Sequence, residues 1–284
     1  MEYFEPHFLD EALVLLDRFG SGARVLAGGT RLGLELRRPS VDIHALVNIK
    51  RIGELHAIGE SPSALRIGAL VTAATLAQDL RVISGAPLLA RAAATLGARQ
   101  LRNVATLGGN LCSGHPAADL SVALVACGAR CRLAGLSDDV REISAEEFVR
   151  AGPQTLRAGE LLVGVAISKA DACVSYQKMQ TRRAFEMAIV AVGVQCVFEE
   201  RAVADVRIAL GGAAPTIVRA SVAEAAVSGG AIEDASARRA ARIAAEDDAS
   251  PRTDRWASAD YRRHLVGVLT ERALLDVAAQ SRRG

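Results

Sequence analysis

The sequence predicts an α+β protein built as two domains, and three observations carry that expectation. Its 284 residues exceed the common size of a single domain. Strand-like and helix-like segments mix up to the connector Lys169-Ala170-Asp171, whereas beyond it three strand-like runs come first and helical patterns fill the rest. Two apolar runs also break at a Gly-Gly pair followed by a small polar residue, Val25-Leu26-Ala27-Gly28-Gly29-Thr30 and Val104-Ala105-Thr106-Leu107-Gly108-Gly109-Asn110. The expected division is a first domain over 1–170 and a smaller α+β domain over 171–284, the second with a three-stranded antiparallel sheet and helices.

Each element has a local reason. Leu9, Ala12, Leu13, Leu16 and Phe19 fall on one helical face, with Asp10 as the candidate cap and Gly20 as the stop. Arg24–Ala27 reads as a strand, and after the first Gly-Gly turn a helix over Leu32–Leu36 starts from Thr30. Val41–Ile49 reads as a strand, and Leu55–Ile58 and Leu65–Ile67 as a pair joined by Gly59-Glu60-Ser61-Pro62. Helices are expected from Thr72 to Leu80, over Pro87–Leu96 and near Asp119–Cys127, with strands at Arg130–Leu133 and Leu161–Ile167. Beyond the connector come strands Val174–Lys178, Ala188–Glu199 and Ala202–Leu210, then helices Val222–Val227, Ala235–Ala245 and Ala259–Ala279.

Composition excludes several functions. Half the residues are hydrophobic, enough for a sizeable core, yet the apolar stretches are too short or too interrupted to span a membrane. The start, Met1-Glu2-Tyr3-Phe4-Glu5-Pro6, lacks a basic region followed by an apolar run, so no secretion signal is expected and the location is read as cytoplasmic. Lys and Arg total 34 against 32 Asp and Glu, and aromatics make up 4%, which disfavours nucleic acid as a partner. Cys112, Cys127, Cys131, Cys173 and Cys196 are dispersed without a Cys-x-x-Cys pair, so no zinc or iron–sulfur site is expected and the thiols read as reduced and buried.

The chain has neither G-x-G-x-x-G after a first strand nor G-x-x-x-x-G-K-[ST], so the usual dinucleotide and P-loop readings fail. The Gly-Gly turns offer another route. Glycine lets a ligand approach the main chain, and successive amides in such a turn form a concave anion site suited to a diphosphate. Two turns would clamp it from two sides. The second turn continues through Pro116-Ala117-Ala118-Asp119-Leu120, where Asp119 either caps a helix or accepts from ligand hydroxyls.

With these residues in order, the chain resembles the flavin-binding subunits of the molybdenum hydroxylases, the family of the carbon monoxide dehydrogenase medium subunit and the xanthine dehydrogenase FAD domain. The resemblance rests on both turns and on Pro116-Ala117-Ala118-Asp119. It continues through Tyr176-x-Lys178-x-x-x-Arg182-x-x-x-Glu186-x-Ala188, Arg207-Ile208-Ala209-Leu210-Gly211-Gly212-x-x-Pro215-x-x-x-Arg219 and Ser258-Ala259-x-Tyr261-Arg262-Arg263-x-Leu265, nearly the whole chain.

The resemblance implies a two-lobed FAD domain of the vanillyl-alcohol oxidase type, then a smaller α+β domain, with FAD held non-covalently. Val25, Leu26, Ala27, Gly28, Gly29, Thr30, Arg31 and Leu32 would surround the diphosphate together with Thr106, Leu107, Gly108, Gly109 and Asn110. Asp119 would bind ribityl or ribose hydroxyls, Leu96 and Leu162 would pack by the flavin or hold it with backbone groups, and Lys178 would lie near the pyrimidine edge. Arg31, Gly33, Glu35 and Glu186 depart from the family's usual residues. Arg31 either contacts phosphate or points to water. Of the scattered histidines, His115 alone is near a loop from which a covalent flavin link is conceivable.

The implied function is electron transfer. The chain would take electrons from a small [2Fe-2S] subunit and pass them to an external acceptor. A large molybdopterin subunit would hydroxylate the substrate, and the assembly would be a dimer of heterotrimers. No acid–base residue of this chain need touch the organic substrate, so no catalytic or metal-ligating residue is assigned. The alternatives are a flavin-less assembly subunit of the same complex and a stand-alone flavin oxidase.

Overall fold

The computed structural model describes residues 1–37, 43–137, 140–182 and 187–282. Three sheets organise it. β1 (Glu2–Phe4), β2 (Ala23–Leu26) and β3 (Ala45–Asn48) form a parallel sheet with β3 in the centre, in register Tyr3↔Leu46 and Val25↔Val47. The helix Leu9–Phe19 buries Ala12, Leu13 and Leu16 in the small core of this lobe. Asp10 does not cap that helix. Phe8 is the cap residue, and the Glu11 carboxylate accepts the amides of His7 and Phe8.

The second sheet is antiparallel and five-stranded: β4 (Ile58–Glu60), β5 (Ala64–Gly68), β6 (Arg130–Ala134), β7 (Arg141–Ser144) and β8 (Leu161–Ser168), in the order β4-β5-β8-β6-β7. Helices Ala73–Gln78, Leu80–Gly85 and Pro87–Thr95 lie with it, and each start has a local cause. Thr72 Oγ1 accepts the Thr75 amide, Asp79 accepts the Arg81 amide, and Pro87 opens the third helix, where its missing N–H costs nothing. β7, the helix Leu80–Gly85 and the helix Ala145–Ala151 were not expected from sequence. The expected strand over Val41–Ile49 shortens to β3 among the described residues, while residues 41–42 lie outside them.

The third sheet holds β9 (Cys173–Met179), β10 (Val190–Glu199), β11 (Ala202–Gly211) and β12 (Val218–Arg219), antiparallel in the order β12-β11-β10-β9. Among the described residues it has four strands rather than the expected three. β12 is only two residues long, too short to carry an alternating pattern, and pairs through Ala209↔Arg219 and Leu210↔Val218. The helices Ser221–Val227, Asp234–Ile243 and Ala259–Ser281 belong to this sheet's own core. A π-helical turn over Ala244–Asp248 places the Asp248 carboxylate to accept the amides of Val222 and Ala223, which start the helix Ser221–Val227.

The helix Asp119–Ala126 is buried along its whole length. A helix apolar on every side must be packed on every side, and this one joins the core of the five-stranded sheet to residues of β10 and β11. Gly211 makes this possible, since a Cβ there would lie 2.5 Å from Val122 Cγ2. Asp119 is therefore delivered to a junction between the two larger sheets.

Candidate functional site

The first Gly-Gly turn leaves β2 with Val25, Leu26, Ala27, Gly28 and Gly29 half-buried, and Thr30 and Arg31 exposed. Gly29 takes a positive φ of 74°, which reverses the chain. Beyond it the carbonyls of Gly29 and Arg31 accept from Gly33, Leu34 and Glu35 and begin the helix Leu32–Glu35. The amides of Gly28, Gly29, Thr30, Arg31 and Leu32 find no acceptor among the described residues. Such a row of amides on a reversing turn is an anion cradle. A Cβ on Gly33 would meet only open space. Arg31 Nε pairs with Glu35 Oε1 at 3.0 Å on the surface, so these two departures from the family pattern satisfy each other.

The second turn is built differently from its sequence expectation. Val104 to Thr106 form no strand. Thr106 makes an isolated bridge to Thr72, and Gly108 and Gly109 lie inside the helix Leu107–Cys112. Its amides are already engaged: Leu107 N–H donates to Val71 O, Gly108 N–H to Ala69 O and Gly109 N–H to Thr106 Oγ1. A symmetric clamp of bare amides is thus not what forms. Gly108 is needed because a Cβ would lie 2.8 Å from that of Ala69. Asn110 Oδ1 accepts from both the amide and hydroxyl of Ser121, tying this turn to the Asp119 helix.

The two turns nevertheless touch. A Cβ on Gly28 would lie 1.9 Å from the carbonyl oxygen of Val104, so Gly28 admits the backbone of the second turn rather than a ligand.

Asp119 and Lys178 are brought directly together. Lys178 Nζ lies 2.8 Å from Asp119 Oδ1 and donates to Oδ2 at 3.0 Å, and the Tyr176 hydroxyl donates to Oδ1 at 2.7 Å. Lys178 Nζ also donates to Thr95 O at 3.3 Å. Burial pushes the Asp119 carboxyl above its ordinary value, opposed by Lys178 and Tyr176, and burial followed by the Asp119 charge pushes the Tyr176 phenol far up. Tyr176 received no role from sequence, although its position two residues before Lys178 puts both on one face of a strand. Leu96 and Leu162 are buried in the main core, the first with its carbonyl accepting from Arg102 Nη1 and the second paired with Leu133. Glu186 lies outside the described residues.

The model of the FAD binding domain in molybdopterin dehydrogenase matches residues 1–169, and that of the CO dehydrogenase flavoprotein C-terminal domain matches residues 174–277. The chain belongs to this flavoprotein family. It is 31% identical to the glyceraldehyde dehydrogenase medium chain of Sulfolobus acidocaldarius over 97% of its own length and 98% of the relative's. It is also 31% identical to the carbon monoxide dehydrogenase medium chain of Hydrogenophaga pseudoflava, over 96% and 95% of the two chains. A solved carbon monoxide dehydrogenase from that organism, one lacking the Mo-pyranopterin moiety of its molybdenum cofactor, superposes with a TM-score of 0.93 over 98% of this chain and 97% of that one. The family member described here is therefore an FAD-binding medium subunit of an oxidoreductase of the molybdenum hydroxylase type.

The residues present fit a flavin dinucleotide. The unaccepted amides of Gly28 to Leu32 suit a diphosphate, and half-buried Val25, Leu26 and Ala27 offer apolar surface beside them. Among the described residues no group of three or more His, Cys, Asp or Glu is arranged to hold a metal, and no helix is long and apolar enough to cross a membrane.

Proposed function

We propose that this subunit holds FAD between its two Gly-Gly turns and relays electrons from a small [2Fe-2S] subunit to an external acceptor. The observation that carries the reading is the row of unaccepted amides from Gly28 to Leu32, with Gly28 packed on Val104 at the start of the second turn, in a chain that matches the family along its length. FAD, when bound, supplies a carrier able to take up and give back one or two electrons.

The chain's own residues bind and orient. The amides of Gly28, Gly29, Thr30, Arg31 and Leu32 donate to negative charge, and Val25, Leu26 and Ala27 keep water from one side. Thr106, Gly109 and Asn110 would line the second side of the ligand, while Leu107 and Gly108 brace that turn through Val71 and Ala69. Asp119 contributes acceptor oxygens and Lys178 a positive charge, held together at 2.8 Å so that neither is buried unpaired. Leu96 and Leu162 act from beneath, as the packed floor.

The assembly we read is a dimer of heterotrimers in which a large molybdopterin subunit hydroxylates the substrate. Its support is that the relatives are named medium chains. We place the domain boundary near residue 170, between the two family matches at 1–169 and 174–277. A cytoplasmic location accords with five cysteines all present as free thiols.

The test is acid release of flavin from the complex purified with its partner subunits. One FAD per copy of this chain is expected. A complex without flavin absorption, even after added FAD, would overturn the reading and leave an assembly role.

A further inference from the structure

His115 lies on the loop that joins the second turn to Asp119, and both its backbone and its ring are hydrogen-bonded locally. Its amide donates to Ser113 Oγ at 3.2 Å, and its carbonyl accepts the Ala118 amide at 3.1 Å. Ser113 Oγ in turn donates to Asn110 O at 2.7 Å. The ring itself takes part, because Ala117 N–H donates to His115 Nδ1 at 3.1 Å. A backbone amide can only donate, so Nδ1 carries a lone pair and the proton of the neutral ring sits on Nε2. The turn from Ser113 to Ala118 is thus held by local hydrogen bonds, one of them to the imidazole, and the next residue is Asp119.

Charged groups of four other segments also act on the ring electrostatically. Arg31 comes from the first turn, Asp119 from the buried helix, Asp254 from the loop before the last helix, and Arg262 from that helix. Burial, helped by Arg31 and Arg262, pushes the imidazole below its ordinary value, while Asp119 and Asp254 act the other way. The neutral ring is therefore the form present at neutral pH. A proton on Nδ1 would set two donors against each other at the Ala117 amide.

Building on the reading of this site as an FAD cradle, we infer that His115 is its positioning residue: the Nδ1 lone pair holds the Ala117 amide and so fixes the approach to Asp119, and protonation of Nδ1 releases that hold, making FAD retention weaker in acid. The sign follows from the direction of the shift. The hold is complete above the ordinary imidazole range, at about pH 6.5, and is lost as pH falls below it through the folded value.

Two substitutions separate the lone pair from the ring. His115→Asn places an oxygen acceptor at the same number of bonds from Cα as Nδ1, and that oxygen does not titrate between neutral and mildly acid pH. His115→Gln moves its acceptor one bond further, to where Nε2 lies. FAD affinity of the wild type and both variants is measured by flavin fluorescence from about pH 8 to about pH 5.5, spanning the imidazole range, with far-UV circular dichroism to confirm folding. We expect wild-type affinity to fall about fivefold across that range, the scale of one intramolecular hydrogen bond. His115→Asn should bind like the wild type at the upper pH and stay level in acid, and His115→Gln should be weakened throughout. Parallel pH profiles for wild type and His115→Asn would overturn the inference, as would a folded His115→Gln that binds like the wild type. Failure of the wild type to bind FAD at the upper pH would instead overturn the reading of the site itself.

Discussion

Gly28 and Val104 meet so closely that a Cβ on Gly28 would lie 1.9 Å from the Val104 carbonyl oxygen. The contact is between two backbones, so neither side can swing away as a flexible side chain would. Gly28→Ala must therefore push the two turns apart. The expected cost is about 1–3 kcal/mol of stability, the usual range for inserting a methyl into packed structure, together with at least tenfold weaker FAD binding by the displaced turns. Gly230→Ala is the control, since a Cβ there meets nothing within 4 Å. Urea denaturation and FAD titration of the two variants decide it, and equal behaviour would show that the turns tolerate separation.

Lys178 and Asp119 should be strongly coupled. Lys178→Met strands a buried carboxylate, for which the expected loss is about 3–5 kcal/mol. Burial already raises the Asp119 carboxyl and Lys178 lowers it, so removing Lys178 raises it further. A carboxyl raised in the folded state disfavours folding once it ionises, so the deficit of Lys178→Met should be largest at neutral pH and shrink as pH falls and Asp119 takes a proton. The double variant Asp119→Asn with Lys178→Met removes the stranded charge and should recover part of the loss. Additive losses in a double-mutant cycle would refute the coupling.

Much of this arrangement was legible in the sequence, for identifiable reasons. The strand and helix around the first Gly-Gly turn, the strands β8 to β11 and the last helix follow from apolar pattern and turn residues. The ordered set of small motifs pointed to the flavin, and the family match agrees with it. What the residues could not disclose is which groups satisfy one another. Both turns read alike, yet the amides of the second are taken by Val71, Ala69 and Thr106, which only the folded chain brings near. Asp119 and Lys178 were each expected on the ligand, and their mutual ion pair depends on a junction between sheets that no local pattern encodes. β12 was missed because its pairing with β11, rather than its own sequence, makes it a strand.

Arg262 explains why a third Gly-Gly pair, Gly211-Gly212, recurs beside the last helix. Its guanidinium donates from Nη1 to the carbonyls of Ile189 and Gly212, and from Nη2 to Asp254 Oδ2 at 2.8 Å, with its side chain buried. Gly212 has a positive φ of 70°, and a Cβ there would lie 2.3 Å from Ile189 O. Arg262→Met leaves those acceptors without a donor and should cost about 2–4 kcal/mol, the scale of unpairing buried polar groups. Arg262→Lys keeps the charge but cannot fork to separated acceptors, so it should recover less than half of the loss. Thermal denaturation of both variants checks this, and a fully restored lysine variant would show that charge alone matters.

Glu160 provides a pH-dependent lock at the far end of the five-stranded sheet. Arg141 Nε donates to Oε1 at 2.9 Å and Arg141 Nη2 to Oε2 at 2.8 Å, a two-point contact between β7 and the start of β8. The Arg157 amide donates to Oε2 at 2.8 Å as well. The Arg141 hydrogen bond is the largest influence on this carboxyl, which is held below the ordinary value of 4.5. A carboxyl lowered in the folded state contributes stability above the unfolded value and loses it as pH falls through the folded value. Glu160→Gln should therefore destabilise by about 1–3 kcal/mol at neutral pH, the range for hydrogen bonds to a charged group. The gap between wild type and variant should narrow steadily below about pH 4.5, where the unfolded carboxyl begins to hold its proton. Urea midpoints measured along that pH series read the gap directly, and a gap that stayed constant into acid would mean that the Glu160 charge contributes nothing and only its shape matters.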